Sequence, residues 1–333
     1  YLPVTQGVAS SSLVHSAKCM QGTKNKKTKA MIEGLSLFAF TDTGEISTMT
    51  KKTNIARNNA SEQKHEIREG QSIELLKELH ILTRDGKLNQ DSRRKLKQVY
   101  HLYQFIEPLL QELQQSKETF NPVDHGAGKS YLGFILYDLF FKQLTNNSTI
   151  YGIETRDDLV IKSQELAARL GFNNMSFLNL SVTDSISSPA LPEQIDVVTA
   201  LHACNTATDD AISFGLHKNA KYMVLVPCCQ AEVAAILKKN HSKIKDSNIL
   251  AEIWRHPIHS REFGSHITNV LRTLQLEAHG YSVTVTELVG WEHSMKNELI
   301  LAKKTRSNNP TATQKLKQLL DSLGLTELTS RFS

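Results

Sequence analysis

Cysteine is scarce in this sequence, and what little there is does not form a recognisable site. The four cysteines, Cys19, Cys204, Cys228 and Cys229, have no paired C-x-x-C spacing in a chain of 333 residues. That pattern excludes a disulfide scaffold and a structural zinc site read from spacing. The adjacent Cys228 and Cys229 are typical of thiols in an intracellular protein, so we expect a cytoplasmic location.

Long apolar runs are also absent. The longest candidate, residues 131–141, is interrupted by Asp138 and is far shorter than the ~20 residues that a membrane helix needs. Residues 1–17 are polar and lack the apolar core of a secretory signal. We therefore expect no membrane partner.

Acidic residues are few near the start of the chain, and the net charge of +5 arises there. Residues 1–60 carry eight Lys and Arg against three acids, whereas the rest of the chain balances at 31 against 31. A basic segment on a neutral body is typical of a polyanion-binding protein, and RNA is the partner we expect. The alternative is a solvated tail without a partner.

The hydrophobic pattern predicts four regions. Residues 1–60 form a basic extension with a possible β-hairpin at 30–53, and residues 61–117 form a helical region. In that region an apolar stripe predicts a helix over 71–82, and a second helix over about 90–115 should kink or restart at Pro108. Residues 118–305 should form one α/β domain, and residues 306–333 should form a terminal helix at about Thr313–Leu323.

Short apolar strands alternate with amphipathic helices throughout residues 118–305. This alternation predicts a doubly wound, mainly parallel sheet of seven strands with helices on both faces. The last two strands are too close together for a helix to join them, so they should form an antiparallel hairpin. The predicted strands cover about 119–124, 148–154, 175–181, 195–202, 221–227, 281–288 and 297–303. The predicted helices cover about 129–145, 157–170, 208–216, 229–239 and 264–278.

A glycine-containing loop, DHGAGKSY, follows the first strand of this domain. A Walker loop needs glycine five residues before its GKS triplet, and Val123 stands there. A dinucleotide fingerprint needs a third small residue at position 131, where the sequence has Tyr131. What remains is Asp124-x-Gly126-x-Gly128, whose backbone can approach a smaller adenosine-bearing ligand closely.

The ends of the neighbouring strands add further candidates for that ligand site. Glu154 ends the second strand, 26 residues after Gly128, where a carboxylate can accept hydrogen bonds from both ribose hydroxyls. The alternative for Glu154 is an ordinary role at the start of the next helix. Asn179 and Ser181, at the end of the third strand, should border the adenine, and Leu201 ends the fourth strand.

The succession DHGAGKSYL, YGIE, ALHACNTATDDAI and LVPCCQAEV resembles class I S-adenosylmethionine-dependent methyltransferases, and within them the methyltransferase-domain-32-like group. The resemblance covers about residues 118–303 and continues upstream through KLKQVYHLYQFIE. It implies a Rossmann-like fold, S-adenosylmethionine (SAM) as cofactor and an antiparallel seventh-strand insertion. Asn205 departs from the pattern, since relatives often have Asp or Gly there.

Catalytic candidates stand after the fourth and fifth strands. His202 could accept a proton from the acceptor, although a lone histidine is more often structural. Asp209 could contact the substrate, but capping the next helix is the commoner role. Cys228 or Cys229 could attack a pyrimidine ring, but packing thiols are the favoured interpretation.

The sequence therefore predicts a SAM-dependent methyltransferase whose acceptor is RNA. The alternatives are a methyltransferase acting on a protein or a small metabolite, and a SAM-binding interaction module without catalysis.

Overall fold

The structure is a computed structural model, and it describes residues 66–201, 203, 205–228, 230–240, 252–288 and 298–333. The basic extension of residues 1–60 and its predicted hairpin lie outside these ranges. The strands are β1 (Pro122–His125), β2 (Ile150–Glu154), β3 (Met175–Asn179), β4 (Val197–Leu201), β5 (Tyr222–Val226), β6 (Tyr281–Glu287) and β7 (Glu298–Lys304). The helices are α1 (Ile73–Glu78), α2 (Gln90–Ser116), α3 (Tyr131–Leu139), α4 (Asp157–Leu170), α5 (Val182–Ser187), α6 (Ala207–His217), α7 (Glu232–Asn240), α8 (Pro257–Ala278), α9 (Pro310–Ser322) and α10 (Thr329–Phe332).

The seven strands form one sheet in the order β3-β2-β1-β4-β5-β7-β6. Strands β1 to β5 pair in parallel, whereas β7 is antiparallel to both β5 and β6. The predicted mainly parallel sheet with a terminal antiparallel hairpin is confirmed. The chain order reverses between β1 and β4, and this switch point opens a crevice at the carboxyl ends of the parallel strands.

The central strands are apolar along their whole length because both faces of the sheet are covered. Strand β5 is buried at all five positions, and its side chains alternate between two clusters. Val224 packs with α2 and α3 on one face, while Met223 and Leu225 pack with α6 on the other. The sheet is therefore the middle layer of three, and its edge strands, β3 and β6, are more exposed than its central strands.

Helix α2 is one continuous helix through Pro108, so the predicted restart does not occur. Asn89 caps its start by accepting a hydrogen bond from the Ser92 N–H at 2.8 Å. Pro108 removes the N–H that would bond the Gln104 carbonyl, but both residues lie on the exposed face, where water can satisfy that carbonyl. The opposite face is buried, which fixes α2 against the sheet; its buried apolar residues are Leu96, Leu102, Tyr103, Ile106, Leu110 and Leu113.

Two further differences from the predicted elements occur at helix ends. Helix α1 stops at Glu78 because His80 adopts φ +54° and the N–H groups of Ile81 and Leu82 both return to the Leu76 carbonyl. Ser181, predicted to end β3, instead caps the short helix α5. Helix ends depend on such local caps, which hydrophobic spacing alone does not reveal.

Candidate functional site

The strand order brings most of the predicted cofactor residues to one edge of the sheet. Strands β3, β2, β1 and β4 are adjacent and parallel, so their carboxyl ends face the same crevice. The loop that holds Gly126 and Gly128 follows β1, and Glu154, Asn179 and Leu201 end the other three strands. The predicted cofactor residues at these positions therefore share an edge because of topology alone.

The glycine loop turns tightly and leaves space above its backbone. Gly126 has φ +66° and Gly128 has φ +58°, a region that side chains disfavour. A Cβ atom at Gly126 would meet nothing within 4 Å, and one at Gly128 would come no closer than 3.8 Å to the Arg156 guanidinium. The Ala127 N–H donates to the Ile153 carbonyl at 2.9 Å, which ties the loop to β2. A ligand can therefore approach this backbone from the crevice.

Glu154 is held against the same loop. Its carboxylate accepts the Gly128 N–H at 2.8 Å, the Arg156 backbone N–H at 3.0 Å and the Arg156 Nε–H at 3.2 Å. Burial pushes the pKa of Glu154 up, but these hydrogen bonds outweigh burial and hold the pKa below its usual range. The Thr155 hydroxyl also donates to Oε1 at 3.3 Å, so the oxygen that can still accept a hydroxyl donor from a ligand is Oε2, which among the described residues accepts only the Gly128 N–H.

Asp124 lies below the edge rather than on it. Its side chain is buried and accepts a hydrogen bond from the Thr199 hydroxyl at 3.0 Å, which links β1 to β4. Burial raises the pKa of Asp124 to about 7, although the bonds from Thr199 and the Gly133 N–H act in the opposite direction. This geometry favours a role in holding the loop over direct contact with a cofactor.

The three remaining cofactor candidates, Asn179, Ser181 and Leu201, differ in their surroundings. The Asn179 amide is exposed and donates to the Thr155 carbonyl at 3.3 Å, so it orders the chain that follows β2. The Ser181 hydroxyl is used as the cap of α5, where it accepts the Asp184 N–H at 3.2 Å. Leu201 is half-buried at the end of β4. Of these three candidates, Asn179 and Leu201 present side chains at the edge, whereas Ser181 is used as a helix cap.

Asp209, a catalytic candidate, is used inside the protein. It lies in the first turn of α6 and forms an ion pair with Arg272 of α8, with the Nε of Arg272 2.6 Å from Oδ1. The Arg272 side chain is fully buried and Asp209 is 6% exposed. This pairing replaces the expected helix cap and leaves Asp209 poorly placed for contact with a substrate.

Sequence reasoning missed the buried polar group that surrounds this ion pair. The Arg272 guanidinium also donates to the Asn205 carbonyl at 2.9 Å and to the Asn269 side chain at 3.2 Å. The Gln230 amide contacts Asn269 at 2.8 Å and the Ser265 hydroxyl at 3.1 Å. The group therefore joins the segments after β4 and β5 to α8. Its sequence signal is polar residues at positions 265, 269 and 272, three and four residues apart on a helix.

Three catalytic candidates add little further geometry. His202 and Cys229 lie outside the described residues. Cys228 is half-buried directly after Pro227, at the end of β5. The catalytic assignments of His202, Cys228 and Cys229 therefore stay predictions.

His125 is a second feature that the sequence did not single out. It is buried against Phe214 of α6, with ring centroids 5.2 Å apart. Neither ring nitrogen has a hydrogen-bond partner among the described residues. Burial lowers the pKa of His125 to about 4, although the charge of Glu154 acts to raise it. A neutral imidazole therefore lies directly behind the glycine loop.

Comparison with known sequences gives a family match over the region that contains the glycine loop and Glu154. A family model described as a methyltransferase domain matches residues 94–236, from the start of α2 to α7. The glutathione S-transferase C-terminal domain-containing protein of Bos taurus is 24% identical over an alignment of 239 residues that covers 66% of this chain and 35% of that protein. The Drosophila melanogaster homolog is 24% identical over an alignment of 207 residues that covers 56% of this chain and 33% of that protein. The chain thus spans about a third of the length of these relatives.

Solved structures with a related arrangement include methyltransferases. The Podospora anserina methyltransferase PaMTH1, bound to S-adenosylhomocysteine (SAH), is 11% identical and has a TM-score of 0.41, covering 79% of this chain and 100% of that one. An rRNA methylase from Streptococcus thermophilus is 10% identical with a TM-score of 0.36, covering 57% of this chain and 89% of that one. Among the described residues, no helix combines the length and apolar character needed to span a membrane.

Proposed function

We propose that this chain, which carries a class I S-adenosylmethionine-dependent methyltransferase domain, binds SAM at the edge described above and transfers its methyl group to an acceptor. The observation that carries the proposal is the hydrogen bond from the Gly128 N–H to the Glu154 carboxylate. It joins a loop with open space above its backbone to an ionised carboxylate at the switch point of the sheet. Neither a pyrophosphate cradle nor a Walker loop fits these residues.

Each residue of this edge has a role that it could play toward an adenosine-bearing ligand. The backbone of Gly126 and Gly128 would approach the ligand, and Glu154 would accept hydrogen bonds from the ribose hydroxyls. Asp124 would act indirectly by fixing β1 to β4 beneath the loop. When bound, SAM would supply a methyl group from its sulfonium; the acceptor atom would displace the thioether in line and receive that methyl group. The protein then has mainly to position the two reactants and exclude water.

The acceptor side of the site is assigned to the segments after β4 and β5. His202 is our candidate for taking the proton that an acceptor hydroxyl or amine loses on methylation. Arg272 supports these segments, because it bonds Asn205 on one and lies in the same polar group as Gln230 on the other. We assign Cys228 and Cys229 to packing or to lining the acceptor, not to covalent catalysis.

RNA is the acceptor class that we propose. The support is the segregation of charge, since the whole net charge of +5 arises from residues 1–60. A protein or a small metabolite is the second candidate, and a SAM-binding module without turnover is the third. Cytoplasmic location and the division into residues 1–60, 61–117, 118–305 and 306–333 belong to the same proposal.

Transfer of a tritiated methyl group from SAM to fractionated RNA, protein and metabolite pools tests the function. We expect label in RNA, and we expect Gly126→Val to abolish it because a branched side chain at φ +66° would distort the loop. A matched control is Gly171→Ala at the end of α4, far from the crevice, which also has positive φ. Label in protein or metabolites alone would replace the acceptor, and no label in any pool would favour the non-catalytic module.

A further inference from the structure

A cavity of about 700 Å³ lies between the helical region and the methyltransferase domain, apart from the cofactor edge. Its walls come from α1 and α2 on one side and from α4 and the start of α3 on the other. None of the residues assigned to the cofactor lines it. The volume falls within the range of ~300–1,000 Å³ that is usual for small-molecule sites.

The inner walls of the cavity are apolar. Leu79 and Leu159 are buried, and Val99, Leu166 and the ring of Tyr131 are half-buried around them. Apolar walls that include an aromatic ring suit a planar ligand, because every nucleobase has a face that can stack. The walls alone would also accept a hydrocarbon chain.

Polar groups without protein partners distinguish between these two kinds of ligand. Ser163 is only 5% exposed and lines the cavity, yet no hydrogen bond among the described residues uses its hydroxyl. Tyr131 and Gln98 line the same space, and neither the Tyr131 hydroxyl nor the Gln98 amide forms a hydrogen bond in the described part of the chain. Burial raises the pKa of Tyr131, so its hydroxyl stays a neutral donor. A hydrocarbon would leave these groups unsatisfied, whereas the edge of a base can bond them.

The rim of the cavity is positively charged. Four Lys and Arg side chains line it against Glu78 and Glu165, but Arg169 pairs with Glu78 at 2.7 Å and Lys162 pairs with Asp158 at 3.3 Å. Lys129 has no acidic partner among the ion pairs of the described residues, and it directly follows Gly128 of the cofactor loop. Lys95 pairs with Asp91 at 3.0 Å, an exposed contact of the kind that contributes little and can be exchanged. Lys129 is therefore the rim cation best able to bind a phosphate, and Lys95 could join it.

We propose that this cavity is a nucleotide-binding site, with the base against Tyr131 and the leucines and the phosphate at Lys129. The nucleotide is either free or one residue of an RNA strand, and the chemistry that recognises it is the same. The site stands apart from the proposed cofactor site, and only its RNA form rests on the proposed acceptor.

The test measures binding of UMP and GMP by calorimetry and of a fluorescent single-stranded RNA decamer by anisotropy. Each titration is done with saturating SAH, so that the adenosine site does not take up the probe. Ser163→Leu replaces the buried hydroxyl with a larger apolar side chain at the cavity wall, and Lys129→Gln removes the rim cation that has no acidic partner among the described ion pairs. Lys97→Gln is the matched control, because it removes an exposed lysine of α2 that does not line the cavity.

We expect saturable binding that Ser163→Leu abolishes, that Lys129→Gln weakens roughly 10-fold or more, and that Lys97→Gln leaves within about 2-fold. Thermal unfolding of each variant checks that the fold is retained. Decamer binding that UMP or GMP displaces would identify RNA as the source. Mononucleotide binding that the decamer does not displace would identify a free nucleotide.

The proposal is overturned if neither probe binds saturably, or if Ser163→Leu and Lys129→Gln both bind like the wild-type protein. A separate titration of each variant with SAH distinguishes this failure from that of the proposed function. If the wild-type protein does not bind SAH, the methyltransferase proposal fails, whereas the proposal of a nucleotide site in this cavity is unaffected.

Discussion

Arg272 of α8 and Asp209 of α6 form an ion pair at 2.6 Å that is closed off from solvent. The same guanidinium reaches the backbone carbonyl of Asn205, on the segment after β4. One side chain therefore fixes both the start of α6 and the segment that precedes it. Asp209, which the sequence offered as a candidate for substrate contact, is engaged in this internal contact instead.

We predict that Arg272→Met lowers the free energy of unfolding by about 3–5 kcal/mol, because it leaves Asp209 buried without a partner. The double variant Asp209→Leu/Arg272→Met should recover much of that loss, since neither charge then remains buried. Urea denaturation measures both. Arg255→Met is the control, because the Arg255–Glu252 pair is exposed and should contribute less than about 1 kcal/mol. Equal destabilisation by Arg272→Met and Arg255→Met would contradict the role of the buried pair.

Asp124 and His125 should make opposite contributions to the pH dependence of stability. The pKa of His125 is lowered to about 4, so as pH falls from about 6.5 the unfolded chain takes up a proton that the folded protein does not, and stability is lost. The pKa of Asp124 is raised to about 7, so the folded protein retains a proton above pH ~4, and stability falls as pH rises towards 7. Between about pH 4 and 6.5 these two effects offset each other.

Paired variants separate the two effects. Relative to the wild-type protein, His125→Phe should make stability fall more steeply as pH rises from 4.5 to 6.5, and Asp124→Asn should make it rise more steeply. Each change in slope is at most about 1.4 kcal/mol per pH unit. Urea denaturation at three pH values in this window measures the slopes. Slopes that shift in the same direction in both variants would contradict the assignments.

We predict that neither Cys228 nor Cys229 forms a covalent intermediate. Packing thiols predict that Cys228→Ser and Cys229→Ser each retain methyl transfer, with modest destabilisation at most. A nucleophilic cysteine predicts loss of turnover and a stable adduct with RNA that contains 5-fluoropyrimidine. Detection of that adduct by mass spectrometry would overturn this prediction and identify a pyrimidine carbon as the acceptor atom.

The basic segment should govern the salt dependence of RNA binding. Each phosphate contact contributes ~0.7–0.9 to the slope of log affinity against log salt. Neutralising the four lysines at positions 24, 26, 27 and 29 should lower that slope by up to ~3 units, whatever the RNA sequence. Neutralising the exposed Lys315 and Lys317 of α9 is the control and should leave the slope unchanged. An unchanged slope after deletion of residues 1–29 would remove the charge argument for RNA.

Much of the fold could be predicted from the sequence because it depends on periodicity. Alternation of apolar runs with amphipathic stretches located all seven strands, and the short connection before β7 indicated the antiparallel hairpin. Local features were harder to predict. The continuation of α2 through Pro108 depends on which face that residue occupies, and the end of α1 depends on the conformation of His80.

The candidate site was only partly predictable, for a physical reason. Gly126, Gly128 and Glu154 could be found because topology places strand ends together and positive φ favours glycine. The partner of Asp209 could not, since Arg272 lies 63 residues away on another helix. Contacts between distant side chains depend on packing, which one sequence without its structure does not specify.

Titration of the protein with SAH is the decisive measurement for the proposed cofactor site. We predict one saturable site, a loss of roughly 10- to 150-fold in affinity for Glu154→Ala, and little change for the exposed Asp158→Asn on the next helix. ATP and NAD should not compete with SAH. Tight binding of ATP with no binding of SAH, or equal SAH affinity in Glu154→Ala and the wild-type protein, would contradict the account.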